Sequence, residues 1–571
     1  MGKNYLITSN LENKWVEKKR RVYLGDWTYD LADLNKKTNK LNKNSFNLEN
    51  DIKYLENLLN RLSSSLSVYF NRYHKVKFKK YFWQNLIWIW LSYYIASNYY
   101  RWKKIIRISN KNKFIYLNLD IKKNIYSDNV GTYENLVSGS DLFNYLSIKK
   151  IIVYLKDRFI FKNYKHKNTY NDFIFLKNKN SITNKILSLI SLLFSPITAN
   201  NKIFISTGFS FKNLLKLNLG LGQFPTIFST YFKKNYCFKI TEKKIDRNQN
   251  FFKFHTKNSF EKFIESNILD EIPLNYLEKF FFNFEKIKKI NLNPKVIISA
   301  GEHLHNDNFK LWLLYKKFFL KSKIIVIDHG GNHHLNTGQF DYDFKIGDQV
   351  IGWDKKYNKH KLPNPILYKN FLSRVKNETL IYVGSEISKF PYRVGPHEKG
   401  LSEIKSYKNL KILRKNLKKE IYKKLYYAPK KIKDDRLKSV LIRVVGKKKI
   451  LKNGSFKHHL RKSKIVICDY PQTAFLESLI SGPTFLLCDY KKFWKPRRHF
   501  LNIYKLLEKN NILFRDIDSL TNFINKNWNN IDEWWNKKNV KKTRDKFLDK
   551  FSINYLDNLL YSWKQFLLKY K

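Results

Sequence analysis

The sequence predicts an α/β protein with two Rossmann-like domains, an aromatic-rich helical insertion and C-terminal helices. Three observations carry that reading. Lys464–Asp489, KIVICDYPQTAFLESLISGPTFLLCD, runs as a strand, a Pro-marked turn, a short apolar helix, a Ser481-Gly482-Pro483 break and a second strand. That order makes one βαβ unit of a parallel sheet in about 25 residues. From Pro294 onward, short apolar runs end in glycine-bearing turns and alternate with helical segments, as parallel sheets require. The Pro- and Lys-rich stretch Lys355–Asn377 then separates this series from a second one of the same kind.

Taken in order, strands are expected at Tyr5–Thr8 and at Arg21–Leu24, the latter ending in Gly25-Asp26-Trp27. Asn35–Leu62 is polar and helical, a surface hairpin. Tyr81–Tyr100 is uncharged and flanked by Lys and Arg, but it holds Gln84, Asn85, Ser92, Ser97 and Asn98, and its bulk is Trp and Tyr. Such a segment suits a buried or interfacial helix better than a membrane span. Further strands are expected at Ile151–Leu155 and Ile203–Ser206, and Phe251–Ile290 has the helical spacing of core.

The regular series comprises strand Val296–Ser299, helix Asn308–Phe319, strand Ile324–Ile327 and strand Val350–Ile351. After the connector come strand Leu380–Val383, a helical Tyr407–Tyr427, strand Val440–Val445 and the βαβ unit, then helices over Trp528–Lys571. The expected domains are therefore 1–357, with its insertion near 35–110, then 378–527, and a helical tail 528–571.

The formal net charge is +63, from 110 basic and 47 acidic residues. Abundant Lys, Asn, Ile, Tyr and Phe reflect AT-rich codons, which leaves the shortage of acids to explain. That shortage predicts attraction to anionic lipid surfaces or phosphorylated substrates. The bases are scattered, with no tail or Arg-rich arm, so nucleic acid is not the expected partner. The N-terminus has no apolar signal-peptide region and Leu6 breaks the myristoylation pattern. Three distant cysteines, Cys237, Cys468 and Cys488, form no disulfide framework and favour a reducing compartment. The expected location is cytoplasmic, at the inner face of the membrane.

The chemistry concentrates at strand ends. Gln472 and Thr473 sit where a parallel strand meets a helix N-terminus, an anion site. Glu477 lies one turn on, where a carboxylate suits a sugar's hydroxyls; a capping Thr473 and a solvated Glu477 are the alternative. Gly384-Ser385 forms a small turn after another strand. Arg443, inside an apolar run, must be paired or bind an anion. Asp328-His329-Gly330-Gly331-Asn332 ends a strand with glycines that admit close approach, and His329 there can serve as base, acid or phosphate donor. Glu302 faces the same expected cleft as a carboxylate at a strand end. His303, His305 and Asp307 have a metal-like spacing, but Asn308 stands where a binuclear site needs another His, so no metal is expected. P-loop, dinucleotide and hydrolase-elbow motifs are missing from the sequence.

These motifs resemble a family of bacterial surface-carbohydrate transferases from O-antigen loci. The resemblance rests on LITSNLENKW, YLGDW, YFWQNLIWIWLSYYIASNYYRW, DHGGNHHLNTG, GDQVIGWD, LIYVGS and CDYPQTAFLESLISGPTFLLCD. The segment order is also similar to GT-B glycosyltransferases, nucleotide-sugar 2-epimerases and glycerophosphotransferases. It implies that His329, with Gly330 and Gly331, faces the reacting centre, that Thr473 meets the donor nucleotide's phosphates and that Glu477 meets its ribose; the residues themselves add Glu302 as a catalytic candidate and Gly384, Ser385, Arg443 and Gln472 on the donor side. Gly25, Asp26, Trp27, Gly330, Gly331 and Asn332 would line the acceptor side of the cleft. The implied reaction moves a sugar from a nucleotide-activated donor to a glycan or lipid-linked acceptor, without a bound cofactor. A nucleotide-sugar epimerase or hydrolase of the same fold, and a non-catalytic polyanion binder, remain the alternatives. Phe485 replaces one of two glutamates found in many GT-B enzymes, and GKKKI after Arg443 replaces an aromatic-acidic loop, which leaves the donor's identity open.

Overall fold

Among the described residues, thirteen short strands, most of them apolar and buried, build three all-parallel sheets in the computed structural model. It describes residues 4–28, 48–110, 112–165, 202–224, 232, 237–247, 249–290, 292–328, 330, 339–366, 374, 378–384, 388–393, 402–429, 435–452, 456–492, 494–551 and 558–570. The first sheet holds β1 (Tyr5–Ile7), β2 (Arg21–Tyr23), β3 (Phe114–Leu119) and β4 (Phe159–Tyr164) in the order β2-β1-β3-β4. The second holds β5 (Lys202–Ile205), β6 (Val296–Ser299), β7 (Lys323–Ile327) and β8 (Gln349–Ile351) in the order β8-β7-β6-β5. The third holds β9 (Thr379–Gly384), β10 (Leu425–Pro429), β11 (Ser463–Cys468), β12 (Thr484–Leu487) and β13 (Leu513–Phe514) in the order β10-β9-β11-β12-β13. A two-stranded antiparallel ribbon pairs Asn124–Ser127 with Phe238–Thr241.

The second and third sheets are the expected pair of Rossmann-like layers, and the first precedes them. In the middle of each, apolar residues align across strands: Ile297 lies between Ile203 and Ile324, and Ile467 between Tyr382 and Phe485. Strands buried on both faces read as continuous apolar runs rather than alternating ones, which is why β6, β7, β11 and β12 were legible.

Four expected elements differ. Ile151–Leu155 is not a strand; Ile151–Tyr154 ends the helix Asp141–Tyr154. Val440–Val445 is not a strand but the end of the helix Asp435–Val445, which places Arg443 on an exposed helical face. The helical reading of Tyr407–Tyr427 holds through the helices Ser402–Asn416 and Lys419–Tyr422, but Leu425–Pro429 is the edge strand β10. Of the expected hairpin Asn35–Leu62, residues 35–47 lie outside the described residues, and the rest belongs to the continuous helix Leu48–His74.

The aromatic segment is the core of a long helix, Lys80–Ser109, buried around nearly its whole circumference. A helix apolar on every side must be wrapped by protein. It packs against the helices Leu48–His74, Val130–Gly139, Asp141–Tyr154 and Asp307–Phe319. Its polar residues turn inward on the helix: Ser92 donates to Ile89 O (2.7 Å), and Ser97 and Asn98 both donate to Tyr94 O (3.0 Å). Trp83 and Trp90 find Asn71 Oδ1 (2.7 Å) and Glu271 O (3.1 Å). Among the described residues, no helix is long and apolar enough to cross a membrane.

Two segments tie the layers together. The last helix, Leu559–Leu568, returns to the second sheet, where Trp563 and Phe566 pack with Phe204, Val296 and Ile325, and Trp563 Nε1 donates to Pro363 O (2.9 Å). Residues 388–393, after β9, cross the other way. Phe390 is buried against Trp27 with ring centroids 5.6 Å apart, and its N–H donates to Ser138 O (3.1 Å).

Candidate active site between the sheet edges

In a parallel sheet the strands' carboxyl ends open toward ligands. Here the carboxyl ends of the second and third sheets meet. Gly330, just past β7, is buried with φ +121°, and a Cβ built on it would lie 3.2 Å from Thr473 Oγ1 and 3.7 Å from the Trp353 ring and Ile366. Gly330, at the carboxyl end of the second sheet, thus sits against the first turn of the helix Thr473–Ser481 that follows β11. Two motifs 143 residues apart in sequence are adjacent in space.

Gln472, not Thr473, holds the helix N-cap, and its side chain makes no capping bond. The backbone N–H groups of Phe475 and Leu476 both turn to Gln472 O, so those of Thr473 and Ala474 stand ahead of the first intrahelical bond. The capping reading of Thr473 is therefore set aside. Glu477 is half-buried one turn further on.

Behind this turn lies a buried polar network. Gly384 ends β9, where an added Cβ would meet Tyr427 Oη at 2.7 Å and Ser406 Oγ at 3.0 Å. Asp469, directly after β11, accepts from Tyr382 Oη (3.2 Å) and Ser406 Oγ (3.3 Å), and Asn409 donates to Tyr382 Oη (2.8 Å). Burial, with Asp469 beside it, pushes the Tyr382 phenol well above its usual range. Arg443 stands apart from this network: it is exposed, with its carbonyl accepting from Arg414 (3.1 Å). The inference that it must bind an anion because it lies in a buried strand falls with the strand.

On the second sheet, Gly301 (φ +109°) turns β6 into the short helix Glu302–His305. Glu302 Oε1 accepts from Asn306 Nδ2 (2.7 Å) and Oε2 from Ser206 Oγ (3.4 Å), which comes from the end of neighbouring β5. That holds a half-buried carboxylate at the sheet edge. His303 points inward, between Ser299 Oγ (3.1 Å) and Asp343 Oδ1 (2.8 Å). His305 points the other way, its Nδ1 3.2 Å from Glu134 Oε2. Asp307 accepts from Val130 N and Tyr276 Oη, both at 2.8 Å. The three metal-like side chains diverge to three different partners, and no cluster of metal-ligating groups occurs among the described residues.

Glu134 is the residue that sequence reasoning missed. It comes from the helix Val130–Gly139 and gathers His305, Tyr392 Oη (2.7 Å) and Arg393 Nη2 (2.6 Å), thereby holding the crossing segment 388–393 to the end of β6. Burial opposes its charge, but His305 and Arg393 outweigh that and hold the carboxyl well below its usual range. Nothing local signals this cluster, because its members come from three distant stretches.

Of the expected acceptor-side residues, Trp27 is 1% exposed; its Nε1 donates to Thr8 O (3.0 Å) and its ring supports Phe390. Gly25 is forced by that ring, which a Cβ would meet at 2.3 Å. Asp26 opens the turn Asp26–Thr28 between them. Of the three, Trp27 supports the crossing segment from behind. His329, Gly331, Asn332 and Ser385 lie outside the described residues.

A family model described as LIC12162 family transferase matches residues 4–567. The chain belongs to this family. It is accordingly an enzyme, a transferase. No curated protein matches it in sequence. Among solved structures, S. aureus MnaA with UDP is similar over 65% of this chain and 96% of its own, at 10% identity and a TM-score of 0.34. The wall teichoic acid polymerase TagF, in a point variant soaked with CDPG, is similar over 51% of this chain and 86% of its own, at 12% identity and a TM-score of 0.27. Superpositions this loose transfer no residue or ligand to the transferase described here.

Proposed function

We propose that this transferase moves a sugar or sugar-like group from a nucleotide-activated donor to a precursor of a surface polysaccharide such as O-antigen. The observation that supports the reading is the contact between the Gly330 turn and Thr473. It sets a helix N-terminus of the third sheet opposite the carboxylate-bearing edge of the second. The N–H groups of Thr473 and Ala474 and the Thr473 hydroxyl would take the donor's diphosphate, where a helix dipole offsets the charge that grows as it leaves. Gln472, Gly384 and Ser385 would border the nucleotide, and Glu477 would accept from its ribose hydroxyls. An acceptor hydroxyl attacks the sugar's anomeric carbon as the bond to the diphosphate breaks. Its proton passes to Glu302 or His329, the two basic groups belonging to this edge in sequence. The acceptor is a glycan or a lipid-linked glycan at the inner face of the cytoplasmic membrane.

The test is a thermal-shift panel of UDP, GDP, CDP and CMP forms and their sugars. A ligand at a hundredfold excess over its Kd adds about 2.7 kcal/mol of stability. A response to one base, lost in Thr473→Ala and Glu477→Ala, supports the donor site and names its class. No response from any nucleotide, or responses untouched by both substitutions, overturns it.

A further inference from the structure

The outward ends of three elements leave apolar surface uncovered beside dense positive charge. Phe282 is 73% exposed, and Phe281, Phe319 and Leu320 are 45–47% exposed. They belong to one patch. The Phe319 ring lies 5.3 Å from Phe78 and 6.2 Å from Phe284, and the Phe281 ring lies 5.4 Å from His74. Beneath them the Phe280 ring lies tilted against Trp83, with centroids 4.8 Å apart. On the helix Phe280–Lys288, Phe280, Phe284 and Ile287 face the core, so Phe282 shares the outward face with Lys286, and Lys289 follows one turn on. Residues 75–81, 278–289 and 319–323 together hold ten lysines and two glutamates. Those glutamates are engaged: Glu278 by Arg247 (2.8 Å) and Glu285 by Lys288 (2.8 Å).

We propose that this patch docks the protein on an anionic lipid bilayer, with Phe281, Phe282, Phe319 and Leu320 entering the interface and the lysines meeting the headgroups. Phenyl rings gain by leaving water, and flexible lysines around them reach anionic headgroups without losing solvation. The alternatives satisfy only half the surface. A nucleic-acid duplex would neutralise the lysines and leave Phe282 and Leu320 in water, and single-stranded bases would stack on the rings but leave Leu320 uncovered. A second copy would bring the same lysines face to face, which repels. The aromatic helix Lys80–Ser109 takes no part in insertion, since its rings are buried in protein. The patch surrounds the end of the helix Asp307–Phe319 that leads into β7, whereas the Glu302 and Gly330 turns lie at the opposite ends of the strands.

The inference takes its meaning from the membrane-acceptor reading above, but its test is read separately from donor binding. The full-length protein is sedimented at physiological salt with vesicles of phosphatidylglycerol and phosphatidylcholine, and with phosphatidylcholine alone. The expected result is binding to the anionic vesicles only, weakened about tenfold by Phe281→Ser with Phe282→Ser and again by Lys286→Glu with Lys289→Glu. No sedimentation, or binding indifferent to both pairs, overturns the proposal. So does a change of oligomeric state by the Phe pair without vesicles, which would make the patch a self-contact. If the Phe pair fails to fold, the exposed Lys pair decides. Each pair's response to nucleotide is measured alongside, so a failed donor reading and a failed lipid reading are told apart.

Discussion

Gly330 meets two demands that no other residue satisfies together: a left-handed backbone at φ +121° and a 3.2 Å approach to Thr473 Oγ1. Gly330→Ala should cost about 1–2 kcal/mol through the backbone alone, and should weaken nucleotide binding because Thr473 must shift. Melting curves with and without nucleotide separate the two effects; an alanine variant with unchanged binding would remove Gly330 from the site. Glu134 makes the second residue-level case. In Glu134→Gln, Arg393 and His305 lose their counter-charge while Arg393 keeps about a third of its side chain in water. The expected loss is about 2 kcal/mol, less than the ~3–5 kcal/mol of a fully buried broken pair, measured by denaturant unfolding. Gly330 and Thr473 were legible because strand-end glycines and helix-start hydroxyls are local patterns. Glu134 was not, because its role exists only once the crossing segment 388–393 has docked, and divergent His303 and His305 look alike in sequence.

Elements were readable where period and composition agreed, and misread where they conflicted. Ile151–Tyr154 and Val440–Val445 are rich in β-branched residues, which favour strands locally. Yet Ile148, Ile151 and Ile152 are buried at helical spacing, and Leu441, Val444 and Val445 are buried while Arg443 is exposed. Tertiary packing decided, and the helical period was the better guide. The helix pair Leu48–His74 and Lys80–Ser109 carries a pH prediction. The His74 ring lies parallel to those of Phe70 and Trp83, with centroids 6.3 and 5.5 Å away, and its Nε2 is 2.9 Å from Tyr276 O. Burial lowers its pKa to about 4, against an ordinary 6.5. Between those values the unfolded chain binds a proton that the folded chain refuses. Its stabilising share is thus complete above pH 6.5, falls as the pH drops toward 4, and changes no further below that. Relative to His74→Gln, which cannot titrate, the native protein should lose about 3 kcal/mol across that window. Equal pH profiles for the two, in equilibrium unfolding, would place the ring in water.

At the scale of the whole molecule, the scarcity of acids makes their placement informative. Against a net charge of +63, carboxylates that precede the Lys355–Asn377 connector meet cations that follow it repeatedly. Asp141 pairs with Lys389 (2.5 Å), Glu134 with Arg393 (2.6 Å), Glu49 with Lys495 (2.6 Å), and Asp341 with Arg497. Lys355 with Asp549 runs the other way. Each such partly exposed pair contributes about 0.2–1 kcal/mol, too little to hold the fold but enough to bias how closely the two sides sit. The apolar ties, Phe390 on Trp27 and Trp563 on the second sheet, do not depend on salt, whereas these pairs do. Because Gly330 and Thr473 follow strands of different sheets, on opposite sides of the connector, any loosening at the seam should appear as weaker nucleotide binding before it appears as unfolding. Asp141→Asn combined with Asp341→Asn should lower stability by about 1 kcal/mol and raise the radius of gyration in solution scattering. Nucleotide affinity should weaken several-fold, and added salt should weaken it in the native protein more than in the variant. If the scattering profile and the salt dependence of binding match in the two proteins, the seam is rigid without its ion pairs. The contact between Gly330 and Thr473 would then be maintained by Phe390 and Trp563 alone.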